Sequence, residues 1–416
     1  MVPLPTDRSA STWDRPILSV TRAARGFGAG ALSVVLAIDL GRASYSPLLV
    51  GALLALAMAG ASAWSILVPR AERWIGRRSL FGVGAVALAA GGTLLWYDLA
   101  SLAVVVVALL LGGIVAGSAD ISPLGALEQA SLADAASDRH RTRTFSFYNL
   151  AGYIGTALGA LAAGPLSQVG SPFGTSAGSA PRDAVMLLYA LIGVGLVPAY
   201  FALSRPRDTG AVVPARPPID EATRSIVRSL SGLFAIDAFG GGLIANTLVA
   251  YYLEIRFAPS LESLGLLFFA ASLAAAFSLM AAVPLARRFG LVNTMVFTHI
   301  PSSILLIMFA FGPTFLVASL FWIARSTLSQ MDVPTRQSYT QAVVPPGARA
   351  TAAGYTTAAR SAQLLGAPVT GALLGFGGPW LAGPFLLAGS VKIAYDLALY
   401  RRFRWIRPPE EIGRSG

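Results

Sequence analysis

The chain has 416 residues, of which 55% are hydrophobic and 12% charged, with a formal net charge of +11 and a mean hydropathy of +0.65. A soluble domain carries about 25% charged residues, so this chain has too little polar material to cover a water-facing surface, and a bilayer is its expected solvent. The excess of arginine does not mark a nucleic-acid binder, because the arginines sit in short segments between apolar stretches; the absence of Cys excludes disulfides and thiolate metal sites.

Residues 1–16 carry Pro, Asp and Arg without an apolar core and small-residue cleavage site, so they read as a cytoplasmic N-terminal segment and not as a removable signal. A helix needs about 20 apolar residues to cross the hydrocarbon core. Such stretches predict twelve spans, over 17–40, 46–68, 79–97, 101–124, 145–168, 184–204, 226–253, 262–285, 291–311, 314–335, 350–375 and 379–400. The longest polar interruption, "RPRDTGAVVPARPPIDEATRS" at 205–225, divides the spans six and six and reads as a cytoplasmic linker. The expected organisation is an N-terminal six-helix bundle over 17–204, a C-terminal one over 226–402, and a cytoplasmic tail over 403–416. The fold class is an all-α membrane protein of twelve transmembrane helices in two pseudo-symmetric bundles.

Orientation follows from the basic residues of the loops. Only Arg42, Arg182 and Arg256 fall on outer segments, and Arg25, Arg325, Arg336, Arg360 and Lys392 lie within or at the edge of spans. The remaining 23 of 31 basic residues are cytoplasmic when both termini are, which predicts a multi-pass protein of the inner (plasma) membrane. The halves also echo each other. Gly51 matches Gly265 and Gly76 matches Gly290 at a shift of 214, while Asp120, Gln129 and Ala130 match Asp332, Gln341 and Ala342 at a shift of 212. Internal repeats of this kind mark transporters with a midplane site between the halves.

Two motifs carry a resemblance to a known family. Between spans 2 and 3, "PRAERWIGRR" supplies Gly76, Arg77 and Arg78, with Glu72 just upstream; in span 5, "GTALGALAAGP" supplies Gly155, Gly159, Gly164 and Pro165. The chain resembles the major facilitator superfamily over roughly 17–402. Its loop 2–3 departs from the family pattern at Pro69 and Arg73, and the span 4 arginine motif is missing. The span 5 spacing is similar to the antiporter motif of the family's exporters. Tight packing of small residues is the plainer account of it. The resemblance implies that spans 1, 4, 7 and 10 line a central cavity.

The intramembrane charges fall on those spans: Arg25 on 1, Asp120 on 4, Asp237 on 7, Arg325 and Asp332 on 10. A charge at the bilayer centre is costly and persists where it faces water or a partner. Asp237 lies in "FAIDAFGGGLIAN", whose three glycines favour a broken or closely packed helix, and Asn246 follows on the same span. Arg25 precedes a comparable "GFGAG", so an Arg25–Asp237 ion pair is one expectation and a proton or substrate site at Asp237 the other. Span 10, "ARSTLSQMDVPTRQSYTQA", places Arg325 and Asp332 on one helical face with Gln330 nearby, and Pro334 and Pro123 just past the paired aspartates. Lys392 and Asp396 are four residues apart on span 12 and are expected to neutralise each other. His140 and His299 form no metal constellation, and no cofactor or metal is expected.

Together these features predict a non-enzymatic secondary transporter, exporting a small organic solute by proton-coupled alternating access, acting as a monomer with the substrate, protons and the lipid bilayer as partners and no nucleic acid. Transport of an anion or metal cation, by uptake or efflux, is the alternative. A membrane enzyme or scaffold would need a catalytic cluster that the sequence does not offer. No phosphate-binding loop of the GxxxxGK[ST] type is present, which argues against ATP-driven transport.

Overall fold

The structure, a computed structural model, describes residues 13–111, 123–135, 141–169, 183–203, 220–345, 348–406 and 408. The described residues form helices: α1 (Asp14–Arg42), α2 (Pro47–Tyr97), α3 (Leu102–Leu110), α4 (Pro123–Ala135), α5 (Arg141–Gln168) and α6 (Asp183–Phe201) in the first half. The second half holds α7 (Glu221–Gly242), α8 (Asn246–Phe257), α9 (Leu261–Phe289), α10 (Leu291–Ala310), α11 (Phe315–Ser326), α12 (Asp332–Ala342), α13 (Arg349–Ala359), α14 (Gly366–Phe376) and α15 (Gly383–Phe403). Among the described residues nine helices are long and apolar enough to cross a membrane. Each predicted span contains helix among the described residues, while 112–122 of span 4 and most of the 205–225 linker lie outside them.

The internal repeat is written into the backbone. Ser46 caps α2 and Ser260 caps α9, each accepting from the backbone N–H three residues on. Thirty residues past each cap stands a glycine in the left-handed region, Gly76 at φ 77° and Gly290 at φ 89°. No atom crowds a side chain at Gly76, so the conformation and not the space demands glycine there. At both positions the chain turns from one crossing into the next, which is why spans 2 and 3 run together as α2.

Several spans are interrupted. Span 7 breaks between α7 and α8 directly after the triple glycine, and Gly242 lies against the Gln363 carbonyl oxygen with no room for a side chain. Span 10 breaks over residues 327–331 between α11 and α12. Pro334, which has no N–H to give, sits in the first turn of α12, where none is needed. Span 11 tightens into a 3₁₀ turn at Arg360–Leu365.

Small residues set the helix seams. Within the first half, α1 and α5 interlock through Gly26, Gly30, Gly152, Gly155 and Gly159; a methyl group at 159 would overlap the Phe27 carbonyl oxygen. Close backbone approach of this kind supplies the van der Waals contact that holds helices together in lipid. Between the halves the seams are themselves a repeated pair. α2 meets α14 where Gly51 faces the Ala367 carbonyl and Gly371 faces that of Pro47, and α5 meets α9 where Gly265 faces the Ala160 carbonyl and Gly164 packs on Glu262. Gly51 and Gly265 thus occupy equivalent places in two equivalent seams. At the same end of the molecule α1 touches α8, with Gly41 against the Tyr251 ring and Arg42 paired to Glu254. At the opposite end α4 packs on α1, α2 and α5, and α12 and α13 pack on α7, α9 and α10, each chiefly within its own half.

Candidate functional site

The buried charges gather into two clusters, one per half. In the second half the inner face of α7 runs Val227, Leu230, Phe234, Asp237, Gly240, and this spacing turns one carboxylate into an otherwise apolar seam. Gly240 leaves room for the aliphatic stem of Lys392 on α15. The Lys392 Nζ donates to Asp237 Oδ1 at 2.7 Å, and the Arg336 guanidinium of α12 donates to Oδ2 at 2.9 Å. Arg336 also pairs with Asp332 at 3.1 Å and lies over the Phe234 ring, 5.3 Å from its centroid. His299 of α10 completes the group: its Nδ1 lies 2.9 and 3.0 Å from the two Asp396 oxygens, and its Nε2 lies 3.9 Å from Asp237 Oδ1. Asp396 is fully enclosed, and His299 is its hydrogen-bonding partner.

The charges in contact do not balance on their own. Three carboxylates, Asp237, Asp332 and Asp396, face two permanent cations, Arg336 and Lys392, and the imidazole between Asp396 and Asp237 is the remaining group able to carry positive charge. An uncompensated ion is costly inside a bilayer, and two groups are placed to offset the extra carboxylate: the His299 imidazole between Asp396 and Asp237, and the Arg325 guanidinium, which Asp237 and Asp332 reach through space.

The first-half cluster is built differently. Glu128 of α4 is wholly buried and accepts from Thr21 Oγ1, Tyr148 Oη and Tyr200 Oη, each at 2.6 Å, and from the Arg25 guanidinium. Those donors come from α1, α5 and α6, so one carboxylate ties four helices together. Tyr200 is itself stacked on Phe81 of α2, with ring centroids 4.4 Å apart. Arg22 lies over the Tyr148 ring at 5.4 Å.

Several expectations are corrected by this geometry. Arg25 pairs with Glu128 and not with Asp237, whose partners are Lys392 and Arg336; both of these buried networks form within one half. Lys392 and Asp396 do not neutralise each other, because Lys392 reaches to α7 and Asp396 to α10. His299 is part of the buried network and no bystander. Arg325 and Asp332 do not share a continuous helical face, since the turn at 327–331 separates them. The Arg325 head instead stacks on Trp322, 4.7 Å from the ring centroid. Gln330 lies on that turn and reaches Tyr153 of the other half at 3.4 Å. Asn246 is the exposed first residue of α8, and Asp120 lies outside the described residues. In the loop motif Arg77 pairs with Glu72 at 2.6 Å, and Arg78 donates to the Phe201 carbonyl oxygen. Gly155 and Gly159 pack within the first half, Gly164 packs across the seam, and Pro165 is exposed inside α5.

The residues that sequence reasoning undervalued left one signal. Lys392 is the lone lysine of the chain and stands in the middle of an apolar span with a buried acid one turn on. A mid-span ammonium needs a carboxylate, and Asp237 in span 7 is one that the sequence offers.

Polytopic helices in two similar halves, each with a buried polar cluster, are the build of a membrane transporter and not of an enzyme. The chain belongs to the major facilitator superfamily: the model described as Major Facilitator Superfamily matches residues 18–362. It is 24% identical over 384 residues to the Uncharacterized membrane protein YJR124C of Saccharomyces cerevisiae, covering 84% of this chain and 85% of that one. In fold it is similar to a variant of the nucleoside transporter NupG, with a TM-score of 0.75 at 14% identity over 94% of this chain and 100% of that one. It is likewise similar to a D-xylose-proton symporter, with a TM-score of 0.71 at 16% identity over 93% and 97% of the two chains.

Proposed function

We propose that this transporter moves a small organic solute by proton-coupled alternating access, with the second-half cluster as the proton site and the first-half cluster as a fixed strut. The observation that carries the reading is the charge imbalance around Asp237. Its carboxylate is shared by Lys392 and Arg336 and is approached by His299, which also serves Asp396. Protonating Asp237 from a water-filled passage releases Lys392. One helical turn away on the same face stands Asp396, so the freed ammonium takes over that carboxylate and the proton held with His299 becomes free to leave. Asp332 and Arg336 adjust in the same exchange, because Arg336 bonds both Asp237 and Asp332. These groups lie on α7, α10, α12 and α15, and the breaks in spans 7 and 10 give the backbone places to hinge.

With both termini cytoplasmic, the end that carries Arg42, Gly51, Glu254 and Glu262 is external, and its seams close the external side. The described conformation is then inward-facing, and rocking of the halves about those seams exposes the site to each side in turn. Export is the direction that the span 5 glycines support, with Gly164 seated in the seam that must open. The plasma (inner) membrane is the compartment that the short arginine-rich loops fit.

Two experiments test this reading. In proteoliposomes, a solute that stabilises the purified protein is expected to accumulate against its own gradient under an imposed pH difference and merely to equilibrate without one; equal behaviour in both conditions contradicts proton coupling. The native chain has no cysteine, so Arg42→Cys with Glu254→Cys can be bridged by a short reducible bifunctional thiol reagent without background. Bridging is expected to stop flux and reduction to restore it. Undiminished flux through the bridged protein would rule out opening at that end.

A further inference from the structure

Arg325 is a second-half cation within a span that no carboxylate holds among the described residues. Among the described residues its guanidinium makes no hydrogen bond and no ion pair. Its face rests on the Trp322 indole, and its polar link to the protein runs through its backbone carbonyl, which accepts from Ser302 Oγ at 3.3 Å. The Nε is enclosed without an acceptor, and the residue as a whole is half-buried. Asp237 and Asp332 act on it through space without bonding it, their oxygens being held by Lys392 and Arg336.

That arrangement is unusual for its surroundings. A guanidinium in a low-dielectric interior is expensive unless its donors are satisfied, and its forked geometry matches a carboxylate or phosphate in a bidentate manner. Trp322, itself 2% exposed, gives the guanidinium a buried aromatic surface to rest on. The turn at 327–331 follows immediately, and Gln330 at that turn spans to Tyr153 of the opposite half. A stacked arginine with no ion-pair partner among the described residues, close to a contact between the halves, is suited to receive an anion.

We propose that Arg325 is the specificity-determining residue for the transported solute and that the solute is an organic anion, held by its carboxylate or phosphate oxygens against the edge of the Arg325 fork. This deepens the transport reading and rests on it for the word "transported", but the binding itself does not depend on proton coupling. The binding step is itself charge-balanced: an anion seated at Arg325 cancels the charge of that guanidinium.

The test reads binding alone. Purified protein in nanodiscs is heated with benzoate, succinate, citrate or inorganic phosphate, and in parallel with benzamide and succinamide, the uncharged isosteres of the first two acids. At least one acid is expected to raise the unfolding temperature saturably, with its amide inert. Arg325→Gln is expected to weaken that acid by roughly 10- to 100-fold, as befits the loss of a charge-assisted hydrogen-bonded pair, while Arg325→Lys weakens it less. Should either variant fail to fold, the acid-against-amide comparison in the native protein still decides. Stabilisation by amides as strongly as by acids, by none of the anions, or undiminished in a folded Arg325→Gln, would overturn the proposal. The failures are separable: anion binding without pH-driven flux removes the coupling and keeps the receptor, and pH-driven flux of a neutral solute removes the receptor and keeps the coupling.

Discussion

Asp237→Asn is expected to abolish pH-driven accumulation and to destabilise the protein together. The amide cannot neutralise Lys392 and Arg336, which donate to it at 2.7 and 2.9 Å. Leaving a buried cation without its partner typically costs about 3–5 kcal/mol. Part of that loss is recoverable, because Lys392 lies one turn from Asp396 and its stem can carry the ammonium there. The double variant Asp237→Asn with Lys392→Met removes one charge of each sign and is expected to regain most of the lost thermal stability. It will not regain coupling, since the site that exchanged a proton for an ammonium is gone. Thermal unfolding and gradient-driven flux, measured on the single and double variants, separate the two effects. Restored flux in the double variant would mean that the pair is only structural.

Glu128→Ala is expected to be the most damaging single change in the first half. The carboxylate is wholly enclosed and receives four donors from three other helices, one of them the Arg25 guanidinium. Its removal strands Arg25 in the bilayer and unties α4 from α1, α5 and α6. Breaking a buried pair and several hydrogen bonds at once puts the loss at about 5 kcal/mol or more, enough to deplete folded protein from the membrane. Glu128→Gln combined with Arg25→Gln removes the two charges and keeps hydrogen-bonding capacity, so it is expected to restore accumulation in the membrane with the pH dependence of flux unchanged. A folded Glu128→Gln protein that had lost only its coupling would move the proton site into this half.

The contrast between the two clusters explains what the sequence could convey. Membrane spans were legible because bilayer burial demands long apolar runs, and the repeat was legible because Gly76 and Gly290 are needed for their backbone conformation wherever they occur. The break after the triple glycine in span 7 was legible for a related reason. Partnerships between charges were not. Arg25 and Asp237 occupy related places in the two halves, which invited pairing them. Which carboxylate a guanidinium meets depends on which helices are neighbours, and α4 brought Glu128 to Arg25 while α15 brought Lys392 to Asp237. Helical periodicity places residues on faces without naming the facing helix. Lys392 and Asp396 show the same limit: their four-residue spacing is real, yet each reaches a different neighbour. Arg325 stood out in the sequence as an intramembrane charge on span 10, but that it has no ion-pair partner among the described residues is visible in three dimensions alone.

Simultaneous recording of solute flux and lumenal pH in proteoliposomes, with native protein and with Asp237→Asn, tests the proton-exchange account most directly. Native protein should move protons in fixed proportion to solute, and Asp237→Asn should move none. Solute flux with a silent pH signal in the native protein, or an unaltered pH signal in Asp237→Asn, would contradict it.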